Sequence, residues 1–265
     1  MADAATLSST GTAPGKAAAA TVAAGLGRLL IVPVVTICVW YVLSRLVFVV
    51  PSPGATAVAL ATDLGTPQFI GDLVKTLVKV FIAFGLSTLI GITAGTALGL
   101  IRPLREAVEP FLLIANGIPK IVLYPILLIL FGLGATSQIV MGVIFGTLPV
   151  LVNLMAALAS MRPVYRKVAR MFEVGPFRAF FRVYMPAVAP PLMVALQLGF
   201  SLTVLGVIYS ELIASSDGLG QRVIQTYSVG NYPMMAASVL VILFISLAGT
   251  GLLHLLARLV LSQPR

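Results

Sequence analysis

Residues able to do chemistry are few in this chain, and they are scattered. It holds one cysteine, Cys38, inside an apolar run, and one histidine, His254, far away in sequence. Neither has a base, nucleophile or further ligand at a spacing that builds a catalytic pair or a metal site. No Gly-x-x-x-x-Gly-Lys-Ser/Thr phosphate loop is present, so the chain has no visible means of hydrolysing a nucleotide itself. The remaining candidates are polar groups placed in or beside apolar runs. Glu211 closes a long apolar stretch and is followed by Gly218-Leu219-Gly220. Asn116, Asn153 and Gln197 interrupt other apolar stretches. Lys75 and Lys79 lie four residues apart, one helical turn, at the start of another. Arg162, Arg166 and Arg170 repeat every four residues and line one face of a helix. This set suits solute passage and partner docking, with no enzymatic reaction and no cofactor.

The elements that position these groups follow from composition. Of 265 residues, 59% are hydrophobic and only 9% are charged, against about 25% charged in a soluble globular chain. Lipid must therefore cover much of the surface. A spanning helix needs about 20 mostly apolar residues, and six candidates emerge at 29–50, 80–101, 121–133, 137–160, 191–213 and 234–257. The expected fold is all-α and polytopic, with about six transmembrane helices. Residues 1–27 read as a disordered tail, 28–260 as the membrane domain and 261–265 as a C-terminal tail. The third span is short and carries Pro119 and Pro125. It is either a broken helix lining a pathway or an elbow that re-enters the membrane. Gly91, Gly95 and Gly99 share one face of the second span, and Gly142 and Gly146 one face of the fourth, where they admit a neighbouring backbone closely.

The net charge of +9 reports topology. Lys and Arg concentrate in cytoplasmic loops. With both termini in the cytoplasm, 13 basic residues fall inside and 4 outside; the opposite orientation reverses that bias, so the chain is expected to be N-in and C-in. Glu211, Lys75 and Lys79 then lie near the outer face. The two lysines either snorkel to the headgroups or attract an anionic solute. Glu211 either gates the pathway, pairs with a cation, or is a wetted interfacial carboxylate. The outward charges balance: Arg45, Lys75, Lys79 and Arg222 against Asp63, Asp72, Glu211 and Asp217.

Six basic residues fall in the connection 161–190, which is long for a loop between two spans. Residues 165–174 read as a short helix stopped by Gly175-Pro176. Arg162, Arg166 and Arg170 mark one face, and Val168 and Phe172 another. Phe177, Phe180 and Phe181 follow, then Val183-Tyr184-Met185-Pro186. Such a segment either docks a soluble partner or rests its apolar face on lipid headgroups.

This connection resembles the loop signature of the permease subunits of binding-protein-dependent ABC importers, which runs Glu-Ala-Ala, three residues, Gly, nine residues and an Ile-x-Leu-Pro-like end. Anchored on Val183-Tyr184-Met185-Pro186, the pattern puts Lys167, Val168 and Ala169 at Glu-Ala-Ala and Glu173 at Gly. The spacing is kept, while the acid and the glycine are replaced. Val50-Pro51-Ser52-Pro53, Gly117-Ile118-Pro119-Lys120, Phe131-Gly132-Leu133-Gly134 and Glu211 with Gly218-Leu219-Gly220 are similar to the sulfonate, taurine and nitrate branch.

The resemblance implies a type I importer permease fold and a multi-pass place in the bacterial cytoplasmic (inner) membrane. It implies ABC ATPase subunits, a second permease subunit (the same chain in a homodimer, or a different permease chain) and an extracytoplasmic solute-binding protein as partners, with membrane lipid around them and no nucleic acid. It also implies that Arg166, Lys167, Val168, Ala169, Arg170, Phe172, Glu173 and Gly175 couple to the ATPase, and that the solute is small and anionic. Two rivals stay open on the residues alone: an ion-coupled secondary transporter, which usually carries more mid-span acids, and a non-transporting membrane scaffold.

Overall fold

A computed structural model describes residues 31–171 and 175–261, and every regular element among them is helical. In chain order these are α1 (Ile31–Leu46), α2 (Pro53–Asp63), α3 (Pro67–Leu100), α4 (Arg102–Gly117), a 3-10 turn (Lys120–Leu123), α5 (Tyr124–Phe131) and α6 (Ala135–Ala159). Then come α7 (Pro163–Met171), α8 (Pro176–Ala179), a π-helical turn (Phe180–Tyr184), α9 (Met185–Ile213), α10 (Leu219–Ser228) and α11 (Tyr232–Leu261). Two compact units are present, divided after Ala57. The first holds α1, whose Trp40 indole donates to the Pro51 carbonyl at 3.0 Å. The second holds everything from Val58 onward.

Four helices are long and apolar enough to cross a bilayer: Pro67–Leu100, Ala135–Ala159, Phe180–Ile213 and Tyr232–Leu259. A fifth crossing exists if Arg102–Gly117 and Lys120–Phe131 count as one span, bent by 90°. That bend has a local cause. The ring of Pro119 disfavours helical backbone at the residue before it, and Ile118 is extended, with φ −74° and ψ 130°. Six crossings require both this bent pair and α1. The described part of α1, 16 residues long by its bounds, reaches about 24 Å at helical rise, against about 30 Å of hydrocarbon.

The core of the second unit is α3 against α6 and α6 against α9, and glycines set both contacts. A Cβ added at Gly91 would lie 2.7 Å from Val150 Cβ, one at Gly95 2.8 Å from the Leu151 carbonyl oxygen, and one at Gly99 2.7 Å from Leu158 Cβ. The rising partner numbers show that α3 and α6 run parallel. Toward α9, Gly142 meets Val207, Gly146 meets Thr203 and Gly199 meets Val150, so α9 runs antiparallel. Between these seams pack Val80, Ala83, Phe200, Val204 and Val207. The bundle therefore has two distinct ends. At one, α3 and α6 begin, α9 finishes and α10 sits. At the other, α3 and α6 finish and α7 sits.

Candidate functional site

At the α10 end, the connection between α9 and α10 is bonded almost residue by residue. The Ala214 carbonyl accepts from the Tyr124 hydroxyl of α5 at 3.1 Å. Ser215 Oγ accepts from Gln138 Nε2 of α6 at 2.9 Å. The Gly218 N–H donates to Asp72 Oδ1 (3.2 Å) and the Leu219 N–H to Thr76 Oγ1 (2.9 Å), both on α3. The Gly220 N–H donates to Glu211 Oε2 at 2.9 Å. Gly218 has φ +97°, and a Cβ there would sit 2.3 Å from Glu211 Oε1. Only glycine provides both that backbone and that space.

Glu211 is fully buried, and Lys79 is 4% exposed. Lys79 Nζ donates to Glu211 Oε1 at 2.9 Å and to Asp217 Oδ1 at 2.8 Å. Thr76 Oγ1 lies 3.0 Å from both Glu211 oxygens and shares its one proton between them. An isolated buried carboxylate is costly unless paired and hydrogen-bonded, and three donors, Lys79, Thr76 and the Gly220 N–H, serve this one. Lys75 reaches Asp217 Oδ2 at 3.1 Å. Arg222 pairs with Asp63 through both its Nε and Nη2 atoms, lies 3.6 Å from Asp72, and stands over the Phe69 ring at 5.4 Å. Burial pushes the Asp217 carboxyl up, but hydrogen bonds from Lys79 and Lys75 outweigh it and hold the group below its ordinary value. Seven of the eight outward charges counted above thus fall in two clusters, Lys75, Lys79, Glu211 and Asp217 in one and Asp63, Asp72 and Arg222 in the other, joined through the Gly218 N–H on Asp72. Lys79, one of two lysines with a snorkelling reading, is instead an internal cation.

The other pathway candidates do not join this network. Asn153 donates its amide to the Pro149 carbonyl of its own helix at 2.8 Å, Gln197 is half-buried and Asn116 is exposed. Gly199 abuts Val150, which puts Asn153 and Gln197 at a similar depth. Glu211 lies 14 residues beyond Gln197 in the sequence, about 21 Å along α9 at helical rise. Sequence reasoning missed Thr76 and the anchoring role of Asp72. The available signal was the run Asp72, Thr76, Lys79, which puts three polar groups on one face of α3.

The α7 end is built differently. α7 starts with Pro163, whose fixed φ suits the first helical position, two residues before the expected helix start. Arg162, Lys167, Arg178 and Arg182 are exposed, as is Gly175, and so are Val164 (53%) and Met171 (81%). No salt bridge falls in 161–190 among the described residues. Arg166, Val168, Ala169 and Arg170 are described in backbone only, as part of α7, and Phe172 and Glu173 lie outside the described residues.

A basic, open connection at one end and a chain of apolar crossings match a known pattern over most of the molecule. Residues 87–262 fit the family model described as "Binding-protein-dependent transport system inner membrane component". The chain belongs to this family. It is therefore an inner-membrane component of such a transport system. Among relatives, it is 28% identical over 172 residues to a probable ABC transporter permease protein of Haemophilus influenzae, covering 65% of this chain and 70% of the relative. It is 26% identical to the taurine transport system permease protein of Escherichia coli, covering 70% and 71%. It is 24% identical to the nitrate import permease protein of Synechococcus elongatus, covering 73% and 70%. Its fold is similar to a chain of the MetNI methionine ABC transporter in an inward facing conformation, with TM-score 0.62 and 20% identity over 70% of this chain and 93% of that one.

Proposed function

We propose that this inner-membrane component is the permease subunit of an ATP-driven importer, and that the segment 161–190 couples it to a separate ATPase chain. The observation that carries the reading is the contrast between the two connections beside α9. The one before it exposes Arg162, Lys167, Arg178 and Arg182 together with Val164 and Met171. Exposed apolar groups ringed by cations with no acidic partner among the described residues form a surface for a soluble partner. The positive-inside bias puts that surface in the cytoplasm, with α10 outside, where a solute-binding protein delivers its cargo. Two copies of the chain enclose the pathway. The solute is a small anion, in keeping with relatives named for taurine, nitrate and aliphatic sulfonates.

Changing Val168 and Phe172 together to Asp tests the coupling. The double variant is expected to insert in the membrane at normal abundance and to lose the ATPase chain on purification. Retention of the ATPase at wild-type yield rejects the assignment. Solute uptake that stops when the ATPase is inactivated separates this reading from an ion-coupled carrier, whose uptake continues. A scaffold shows no uptake at all.

A further inference from the structure

Lys75 and Lys79 share a single carboxylate. Lys79 Nζ lies 2.8 Å from Asp217 Oδ1 and Lys75 Nζ 3.1 Å from Asp217 Oδ2, so each ammonium holds one oxygen. Two cations one helical turn apart can grip any small oxyanion that offers two oxygens in this way. The site is open on one side: the Lys79 side chain is 5% exposed, that of Asp217 32% and that of Lys75 55%.

The Asp217 carboxylate can also leave without releasing the rest of its loop. The Asp217 backbone is held by Ser215 Oγ, which donates to the Asp217 carbonyl at 2.6 Å and accepts from its N–H at 3.2 Å. Gly218, Leu219 and Gly220 are seated by Asp72, Thr76 and Glu211. Rotating the Asp217 side chain into water therefore frees both lysines and leaves α10 anchored. Glu211 stays on Lys79 at 2.9 Å. The vacated site then has two cations and one acid, a net single positive charge, which one monovalent anion neutralises as Asp217 does.

We propose that Lys75 and Lys79 form an anion-binding site that Asp217 occupies as an internal stand-in, and that a small monovalent oxyanion such as a sulfonate, a carboxylate or nitrate displaces it. The site is at the end where solute arrives under the proposed function, and its physiological purpose rests on that reading; the binding chemistry does not.

Methanesulfonate and nitrate are suitable probes, with choline as a cationic control, in equilibrium binding to the purified full-length chain in nanodiscs. Asp217→Asn removes the tethered competitor, which acts at high effective concentration, and should bind methanesulfonate at least tenfold more tightly than wild type. Lys75→Gln changes an exposed side chain and leaves the buried pair intact. It should weaken binding at least tenfold in either background, with an unchanged Tm confirming the fold. Equal affinity in wild type and Asp217→Asn overturns the proposal, as does binding that ignores Lys75 or extends to choline. Co-purification of the ATPase, scored on the same samples, reports separately on the transport reading. Lys75-dependent anion binding without an ATPase partner keeps the site and removes that reading, and the reverse result removes only the site.

Discussion

The two ends of the second unit carry charge in opposite ways. At the α10 end, Lys79 pairs with Glu211 and Arg222 with Asp63, all four buried and each pair joining two different helices. At the α7 end, Lys167, Arg178 and Arg182 stand exposed with no acidic partner among the described residues. Charge that is spent internally holds helices together and is barely screened by salt. Charge left open contributes little to stability but attracts and orients a partner. A tally of basic residues treats the ends alike; only the pairing separates a joint from a docking surface.

The sharpest way to break this contrast is Glu211→Leu. It leaves Lys79 and the Gly220 N–H without their buried acceptor, and removing one partner of a buried pair costs about 3–5 kcal/mol. The variant is expected to unfold or fail to accumulate, read by size-exclusion profile and thermal melting in detergent. A wild-type melt would show that the network does not hold α10. Thr76→Val is the next largest. It leaves the Leu219 N–H without its acceptor and Glu211 with one donor fewer, for about 1–3 kcal/mol, measured in the same way.

Asp217→Asn should have a smaller, pH-dependent effect. The native carboxyl is held below its ordinary value, so its contribution to stability is full at pH above the ordinary carboxylate range. It is lost as pH falls through the lowered value. The difference in Tm between wild type and Asp217→Asn should be present at neutral pH and should shrink in strong acid; a difference that grows in acid contradicts the ion pairing. Smallest of all is Lys167→Gln at the opposite end. Stability should change by no more than about 0.5 kcal/mol, while ATPase retention becomes weaker and less sensitive to salt. A large loss of stability there would erase the distinction between the ends.

Much of this was legible from local pattern. The glycine faces were visible because helical period alone places Gly91, Gly95 and Gly99 on one side, and the Leu151 carbonyl, which would lie 2.8 Å from a Cβ added at Gly95, shows what that face receives. The break near Pro119 follows from ring sterics acting on one neighbour. The link between Glu211 and the Gly218-Leu219-Gly220 turn spans nine residues, short enough to be suggested by sequence. The Lys79–Glu211 bond joins residues 132 apart, and nothing in either neighbourhood names the other. For that reason Lys79 had a headgroup reading beside the anion one, and Asp217 was only one more charge in a balance.

Sequence by itself determined that this chain lives in lipid, where its long apolar helices run and which connection bears the excess of cations, because hydropathy, helical period and proline geometry act within a few residues of each position. The tertiary structure alone decided which charges meet. Burial makes an unpaired ion so costly that Glu211, Lys79, Asp217 and Arg222 must find partners, but which ones they find is set by how α3, α6 and α9 pack, a property of three helices together and of no single stretch of chain.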